Sequence, residues 1–369
     1  MISIKVLLFK FKKVLIRFQD SEIIINFKFQ CEMTINDTKR IFFPFVLLFQ
    51  VLTISAIGLS QKKQENYETV RVASFQGDRV AALTYTFDDG LQDQYTLAAP
   101  MLEKFGFRGT FFVIPSLIPD TKAQADAKKS GVWGGIAWPQ LKELSLRGHE
   151  IGNHGWSHRS LKELNDTIIV KEIDNAWQRI KDKIGVSPMT FCYPYNAFDD
   201  RIRKFALHNH ICTRDSARGI GKNISLESFN AQADAAIRKK SWEVFMIHGI
   251  ANGFDAFTDP KVLENHLSYV KLHDDKIWVS PFANVVRYIR ERNSVNLKIK
   301  QKHNQIICTM ESPLDPLIYN YPLTVVFEVK GAKIVNAKYL GKKMPVVIYP
   351  DRFCVDWAPG SKPVKITWK

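Results

Sequence analysis

The chain has 369 residues, of which 46% are hydrophobic and 24% are charged, and its formal net charge at pH 7 is +15. This composition is typical of a globular protein and excludes a collagen, a low-complexity tail and a coiled coil. The only long apolar run, residues 41–59, is interrupted by Pro44 and Gln50. A polytopic membrane protein is therefore excluded as well.

Residues 33–60 have the pattern of a signal peptide. A basic pair follows Met33, the apolar run comes next, and small residues precede Gln61. We interpret residues 1–32 as an upstream extension and residues 61–77 as a linker. The alternative is an uncleaved N-terminal anchor. Both interpretations predict that the body of the protein is exported, to the periplasm, the cell surface or the medium.

The positive charge is dispersed along the chain, and no nucleic-acid motif accompanies it. For an exported protein this charge indicates anionic glycans or envelope polymers as partners, and not nucleic acid. An oxidising compartment would permit a disulfide between Cys308 and Cys354, whereas the alternative is that these two, Cys192 and Cys212 are all free thiols. The sequence does not determine the oligomeric state.

Predicted strands and helices alternate through residues 78–293. The strands are predicted at 80–87, 109–114, 150–153, 189–193, 210–213 and 244–247. The helices are predicted at 95–105, 140–147, 161–184, 261–273 and 282–292. Parallel strands need such crossover helices, so the pattern indicates an α/β fold, either an α/β barrel or a doubly wound sheet.

The pattern changes after Asn293. Residues 294–369 consist of short β-rich stretches separated by turn residues, without a helical period, and predict a small β-sandwich. Its simplest role is to pack against the catalytic body. Trp357 and Trp368 favour a second hypothesis, in which this region binds carbohydrate.

Four polar clusters follow predicted strands, where α/β folds place their ligand sites. They are Asp88-Asp89, His154 with His158, Pro194-Tyr195, and His248. Two imidazoles four residues apart on a helical turn project to one side and, with a carboxylate, form a three-ligand metal site that leaves a position for water. Of the two adjacent carboxylates, one can bind the metal while the other acts as a base, and a further histidine can protonate the leaving group.

These residues resemble, in order and spacing, the motifs of polysaccharide deacetylases with a NodB-homology domain, carbohydrate esterase family 4. The matching segments are Thr86-Phe87-Asp88-Asp89-Gly90, residues 148–158, Tyr193-Pro194-Tyr195 and Met246-Ile247-His248. The resemblance covers about residues 78–291. It implies a distorted (β/α) barrel whose metal, usually zinc, is held by Asp89, His154 and His158.

The resemblance also implies a mechanism. Asp88 would be the general base for a metal-activated water that attacks an acetamide carbonyl, and the backbone N–H of Tyr195 would stabilise the oxyanion. His248 would protonate the departing sugar amine. The products would be acetate and a glycan with a free amino group.

Two positions depart from the family pattern. Many members carry an arginine where this chain has Cys192, and a glycine where it has Asn196. We expect Arg214, after the following predicted strand, to supply the missing guanidinium to Asp88. Met246 replaces a common leucine in an apolar pocket, which is a conservative change.

The long segment from Pro115 to Trp138 is expected to line the substrate groove. The predicted substrate is an acetylated glycan. Two alternatives are an O-acetyl esterase acting on a xylan-type glycan, and a glycan-binding protein that has lost catalysis. Two histidines and one carboxylate suit Zn²⁺, Co²⁺, Ni²⁺ and Fe²⁺ alike.

Overall fold

The protein is described by a computed structural model over residues 14–18, 21–25, 69–129 and 131–369. The chain divides into two compact units, Met1–Asn66 and Tyr67–Lys369. In the first unit, β1 (Val14–Phe18) pairs antiparallel with β2 (Ser21–Ile25). The predicted leader, residues 33–60, lies outside the described residues.

The second unit begins with β3 (Val70–Val72) and then forms a sheet of eight parallel strands. These strands are β4 (Ala81–Asp88), β5 (Thr110–Val113), β6 (Glu150–Asn153), β7 (Thr190–Cys192), β8 (Cys212–Arg214), β9 (Arg218–Gly219), β10 (Trp242–Ile247) and β11 (Ile277–Val279). Their order across the sheet is β8-β7-β6-β5-β4-β10-β9, and β11 also pairs with β4. β4 is buried along its whole length, because it is the central strand.

Eight helices of the described chain accompany this sheet. They are α1 (Ala99–Lys104), α2 (Lys122–Asp126), α3 (Trp138–Leu146), α4 (Asp166–Ile184), α5 (Asp200–Asn209), α6 (Leu226–Lys239), α7 (Lys261–Lys271) and α8 (Phe282–Ser294). A π-helical turn, Gln94–Ala98, leads into α1. Apart from the short link 215–217 between β8 and β9, the connections between these strands run through helices, as crossover geometry requires.

The longest helix, α4, shows how the local sequence sets its ends. The Asn165 side chain accepts a hydrogen bond from the Ile168 N–H and caps the first turn, and Gly185 ends the helix with a φ of 93°. Ile169, Ile173 and Ile180 lie on one buried face. This face packs on the sheet beside β6 and positions the loop that follows that strand.

Two antiparallel sheets complete the second unit, and we call the parallel sheet with its helices the barrel. Their strands are β12 (Asn296–Lys302), β13 (Gln305–Glu311), β14 (Leu323–Phe327), β15 (Val335–Tyr339), β16 (Lys342–Met344), β17 (Val347–Ile348), β18 (Phe353–Trp357) and β19 (Gly360–Trp368). One sheet has the order β12-β13-β19-β15-β16, and the other has the order β17-β18-β14-β3. The predicted fold class, a parallel α/β body followed by a small all-β region, is confirmed.

The predicted linker, residues 61–77, needs a correction. Its residues 70–72 form β3, which pairs antiparallel with β14, and Val72 lies opposite Val325. Sequence alone does not show this pairing, because the partners are about 250 residues apart. The chain therefore enters the β-sandwich before it enters the barrel.

The two tryptophans that favoured carbohydrate binding, Trp357 and Trp368, are buried in the core between the sheets. They cannot stack on a sugar, so these two residues do not support carbohydrate binding, and the role of this region stays a prediction. The four cysteines of the described residues are free thiols, and the pairing of Cys308 with Cys354 is absent there.

The barrel and the sandwich share a hydrophobic core. Trp278 and Tyr288 from the barrel pack in one cluster with Leu323 and Phe327 from the sandwich. The Tyr288 hydroxyl donates to the carbonyl of Ala73, 3.0 Å away. The division of the body into 78–293 and 294–369 stays a prediction, because the two parts bury apolar surface against each other.

No helix among the described residues combines the length and the hydrophobicity that crossing a membrane needs.

Candidate metal and catalytic centre

The predicted site residues come from five strand ends at one edge of the parallel sheet. Asp88 ends β4, and Arg214 ends β8. His154 follows β6, Tyr195 follows β7, and His248 follows β10. Because all strands are parallel, their carboxyl ends meet at the same edge, and the structure brings these side chains together there.

Asp88 and Arg214 form a buried ion pair. The two guanidinium Nη atoms donate to the two carboxylate oxygens over 2.7 and 2.5 Å, and Nη1 also donates to the Thr86 hydroxyl over 2.6 Å. The guanidinium lies over the Phe112 ring, 5.1 Å from its centre. This two-point contact fixes the plane of the carboxylate.

The charges around Asp88 keep it ionised. Burial raises the pKa of its carboxyl, but the positive charge of Arg214 and the hydrogen bonds that Arg214 donates more than offset that effect. The pKa of Asp88 therefore lies below its ordinary value. A carboxylate held in this state can accept a proton at neutral pH.

Asp89, His154 and His158 form a compact cluster of potential metal ligands. Asp89 Oδ1 lies 3.6 Å from His154 Nε2 and 3.4 Å from His158 Nε2. One ligand atom from each residue lies within 4.8 Å of the others, and all three side chains are buried. Asp89 adopts a φ of 74°, a left-handed conformation that aspartate tolerates.

The two histidines lie on a loop and not on the helical turn that the spacing predicts. Gly155 has a φ of 78° and His158 a φ of 58°, so the backbone cannot be helical here. Glu172 of α4 holds the loop, since its carboxylate accepts from the N–H and the hydroxyl of Ser157 over 2.9 and 2.7 Å. This external contact lets the loop place both rings on one side without helical geometry.

The hydrogen bond at Nδ1 orients the His154 ring. His154 Nδ1 lies 2.8 Å from the carbonyl of Cys192, which can only accept, so Nδ1 carries the proton and the Nε2 lone pair faces Asp89. Burial lowers the pKa of His154, an effect that the Asp88 charge partly opposes. Burial and the neighbouring His154 lower the pKa of His158 to about 3, so both rings are neutral ligands.

Two buried atoms of the cluster have no hydrogen-bond partner among the described residues: Asp89 Oδ1 and His158 Nδ1. Burial, and then the Asp88 charge, raise the pKa of Asp89 to about 7, although Arg214 acts in the opposite direction. A buried carboxylate without a partner is costly unless a cation or a proton neutralises it. The donor set of two neutral imidazoles and one carboxylate fits a divalent cation such as Zn²⁺.

Aromatic side chains lie beside the cluster. The rings of Trp133 and Tyr195 lie 4.5 and 4.6 Å from the His158 ring, and Phe254 lies 5.0 Å from the His248 ring. Trp133 is 39% exposed, Tyr195 62% and Phe254 66%. Trp133 belongs to the segment from Pro115 to Trp138, and the N–H of Gly134 in that segment donates to the Asp89 carbonyl over 2.7 Å.

Two neighbouring residues that the sequence analysis did not select support His248. The side-chain amide of Gln94 donates to the carbonyls of both Asp88 and His248, over 2.5 and 2.9 Å. One carboxylate oxygen of Asp93 accepts from the N–H groups of residues 250, 251 and 252, over 2.8 to 3.0 Å. The only sequence signal was an acidic and an amide residue shortly after the Asp88-Asp89 pair.

Burial lowers the pKa of His248, which the Asp88 charge partly opposes and the Arg214 charge reinforces. The protonated form of His248 is therefore a stronger acid than that of an exposed histidine. Cys192 lies on the other side of Asp88, with its sulfur 3.9 Å from Oδ2. Burial raises the pKa of this thiol well above its ordinary value, so it stays neutral beside the carboxylate.

The chain is similar to known proteins over part of its length. The chain is 31% identical over 122 residues to chitin deacetylase 1 of Cryptococcus neoformans var. grubii, which covers 33% of this chain and 22% of that protein. It is 21% identical over 327 residues to a gellan lyase of a Bacillus species, covering 77% of this chain and 12% of the lyase. The chain thus spans less than a quarter of the length of these two relatives.

Among solved structures, the Bc1960 peptidoglycan N-acetylglucosamine deacetylase is 15% identical, with a TM-score of 0.43, and covers 56% of this chain and 88% of its own. The family model described as polysaccharide deacetylase matches residues 76–210, a range that contains Asp88, Asp89, His154, His158 and Tyr195. This part of the chain is therefore similar to polysaccharide deacetylases.

Proposed function

We propose that the protein hydrolyses acetyl groups from an N-acetylated polysaccharide or oligosaccharide in a metal-dependent reaction and releases acetate. The observation that carries this proposal is the buried cluster of Asp89, His154 and His158 beside the separate ion pair of Asp88 and Arg214. A ligand set and an ionised carboxylate are then adjacent but distinct. A metal-dependent amide hydrolase uses both.

Asp89, His154 and His158 would hold the metal, for which we propose Zn²⁺; Co²⁺, Ni²⁺ and Fe²⁺ suit the same ligands. When bound, a divalent cation acts as a Lewis acid that polarises an acyl oxygen and lowers the pKa of water. The neutral imidazoles and the otherwise unpartnered Asp89 oxygen favour this binding.

Asp88 would remove a proton from the attacking water. Its carboxylate is ionised and is held in one plane by Arg214. In this proposal Arg214 is a positioning residue. It takes the role of the arginine that many members of the family carry at the position of Cys192. Both side chains of the pair are buried.

His248 would deliver a proton to the departing nitrogen. Water adds to the acyl carbon, the C–N bond breaks, and its electron pair takes the proton, which leaves acetate and a free amine. The backbone N–H of Tyr195 would donate to the developing oxyanion, since the left-handed turn at this residue, φ 59°, redirects the chain beside His158.

The exposed rings support a glycan as the substrate. Trp133 and Tyr195 lie on the His158 side of the centre, and Phe254 lies on the His248 side. Aromatic faces pack on the apolar faces of sugars, and exposed rings on two sides favour a chain over a single sugar unit. This supports the predicted groove role of residues 115–138.

The test is acetate release by the full chain from an N-acetylglucosamine oligomer and, in parallel, from O-acetylated xylan. We expect release from the oligomer, loss of release after chelation, and recovery with Zn²⁺. Asp88→Asn should lower the rate about 10²- to 10⁴-fold, the usual contribution of a general base. Asp200→Asn, at an exposed carboxylate, is the matched control and should keep the parent rate.

Release from xylan alone would overturn the proposal in favour of an esterase. Release from neither substrate, with Zn²⁺ bound in equimolar amount by elemental analysis, would point to a binding protein. Release that survives complete metal removal would contradict the metal-dependent mechanism.

We also propose that the enzyme works outside the cytoplasm, which the signal-peptide pattern at 33–60 supports. A fusion of residues 33–77 to alkaline phosphatase, which is active only after export, tests this directly. Replacing Lys39 and Arg40 with glutamate should abolish the activity of the fusion. An inactive parent fusion would contradict the proposal.

A further inference from the structure

The five-stranded sheet of the β-sandwich concentrates positive charge. Its strands carry eight lysines and one acidic residue, Glu311. The lysines are Lys298, Lys300, Lys302, Lys338, Lys342, Lys343, Lys362 and Lys365. All eight are exposed.

Strand register places four of these lysines in one row across the sheet. Lys300 opposes Ile307, Ile307 opposes Lys365, Lys365 opposes Lys338, and Lys338 opposes Lys343. Alternate residues of the same strands, such as Ile306 and Ile366, are buried in the core. The row therefore lies on the outer face, which we call the lysine face.

This register is unfavourable in an isolated sheet. Neighbouring strands lie about 4.8 Å apart, and like charges directly opposite each other destabilise a sheet. Lys365, Lys338 and Lys343 are three such neighbours in a row. The single acid of these strands, Glu311, pairs with Lys298 at the edge, 2.8 Å away, and not with this row.

The other sheet of the sandwich is built differently. Basic and acidic side chains occur there together: Arg71 on β3 contacts Asp78 and Glu328, and Arg352 contacts Asp78 and Asp351. Basic side chains without an acidic partner are thus concentrated on the five-stranded sheet of the described residues. Solubility is served by charges of both signs spread over the whole surface, so solubility alone does not explain a row of lysines on one sheet.

Neutral polar groups accompany the lysines. In the adjacent row, Lys302 opposes Gln305, Gln305 opposes Thr367, and Thr367 opposes Asn336. Their amides and hydroxyls can donate to and accept from sugar hydroxyls. The outward positions of the paired strands hold neither arginine nor an aromatic residue.

We propose that the lysine face binds a polyanionic glycan, a polysaccharide that carries carboxylate groups. Lysine ammonium groups in register match a repeating row of carboxylates, and the amide and hydroxyl row matches the hydroxyls between them. Single-stranded nucleic acid is less suited, because its recognition relies on aromatic stacking and arginine, which this face lacks. This binding site is separate from the catalytic centre and does not depend on the proposed catalytic function.

The test is native electrophoresis of the full chain through gels that contain polygalacturonate. We expect strong retardation that weakens as salt is added. The triple variant Lys338→Gln, Lys343→Gln and Lys365→Gln should bind about 100-fold more weakly, as expected for three lysines at an anionic surface. The matched control, Lys142→Gln, Lys171→Gln and Lys204→Gln, changes the net charge equally on exposed positions of α3, α4 and α5 and should bind like the parent.

Equal weakening in both triple variants would show an effect of net charge alone and would overturn the proposal. Retardation by double-stranded DNA at lower concentration than by polygalacturonate would assign the face to nucleic acid and would also overturn it. Circular dichroism melting of both variants verifies that they fold. The Asp88→Asn variant should keep parent binding, which separates this test from that of the proposed function.

Discussion

The strand ends of the barrel and the lysine face of the sandwich both concentrate charge, but under opposite conditions. In the barrel, Asp88 and Arg214 are buried and contact each other at two points. On the lysine face, Lys338 and Lys365 are exposed and oppose each other with the same sign. Buried charges must be paired to persist, whereas exposed like charges are tolerated because water screens them.

The difference predicts how each region responds to mutation. Removing one buried charge leaves its partner buried and unpaired. The free energy of unfolding should then fall by more than the intact ion pair contributes to it. Removing an exposed like charge should relieve repulsion. Substitutions at the Asp88–Arg214 pair should therefore strongly reduce stability. Substitutions on the lysine face should change stability little, by an amount that depends on the salt concentration.

The largest effect is expected for Arg214→Met. It leaves the Asp88 carboxylate buried and unpaired, so the free energy of unfolding should fall by about 3–5 kcal/mol. The pKa of Asp88 should rise, because its largest favourable charge is lost. The acid limb of the activity profile should then move to higher pH, which urea unfolding and rate measurements across pH can check.

Arg203→Met provides the matched control. Arg203 pairs with Asp200 and Asp215 at a more accessible position, so its loss should cost less than about 1 kcal/mol. An Arg214→Met enzyme with unchanged turnover and an unchanged pH profile would contradict the positioning role.

A smaller effect is expected for Asp93→Ala, which leaves three N–H groups of the loop after His248 without their acceptor. We expect kcat to fall about 10- to 100-fold, the size usual for residues that orient catalytic groups. KM and bound Zn²⁺ should stay the same, and Asp93→Asn should restore part of the rate. Asp234→Ala, which loses a bond to Tyr269 between α6 and α7, should leave kcat unchanged.

Glu291 lies where the barrel helix α8 contacts the chain that leads into the sandwich. Burial raises the pKa of this α8 carboxyl to about 7, although it accepts the N–H of Tyr321 over 2.9 Å. A raised carboxyl pKa means that the folded state binds more protons, so stability should fall as pH rises from about 4.5 to 7. Glu291→Gln should remove this slope and stabilise the protein by about 2 kcal/mol at pH 8. Thermal melts with Glu311→Gln as an exposed control would measure it, and an unaltered slope would contradict it.

The smallest effect is expected on the lysine face. At low salt, the free energy of unfolding of the triple variant at 338, 343 and 365 should be about 0.5 kcal/mol higher than that of the parent. The reason is that two cross-strand contacts between like charges disappear. The gain should vanish at high salt. A loss of stability would show that the buried and exposed regions do not differ in the proposed way.

The sequence predicted the parts of the fold that depend on local pattern. The predicted strand 150–153 matches β6, and the predicted helix end at Gly185 matches the end of α4. The helix α6 was missed, although Phe229, Ala233 and Ala236 line one buried face. Its alanines carry only a weak apolar signal, and short strands such as β9 and β11 carry still less.

The parts that the sequence did not predict depend on distant partners. Asp88, Asp89 and the histidines were identified from their spacing, but the loop conformation at His154 depends on Glu172 of another element. The burial of Trp357 depends on the barrel face against which the sandwich packs. The roles of the site residues stay predictions, since geometry places them together without measuring their chemistry.

The pairing of β3 with β14 has a consequence for biosynthesis. Val72 is synthesised about 250 residues before its partner Val325. The first strand of the sandwich therefore has no partner strand while the barrel is being translated. Long-range pairings of this kind slow folding and leave strand edges open to other chains. The four-stranded sheet can form only when β14 has been translated and can pair with β3. The sandwich therefore completes its fold only after its C-terminal half has been translated.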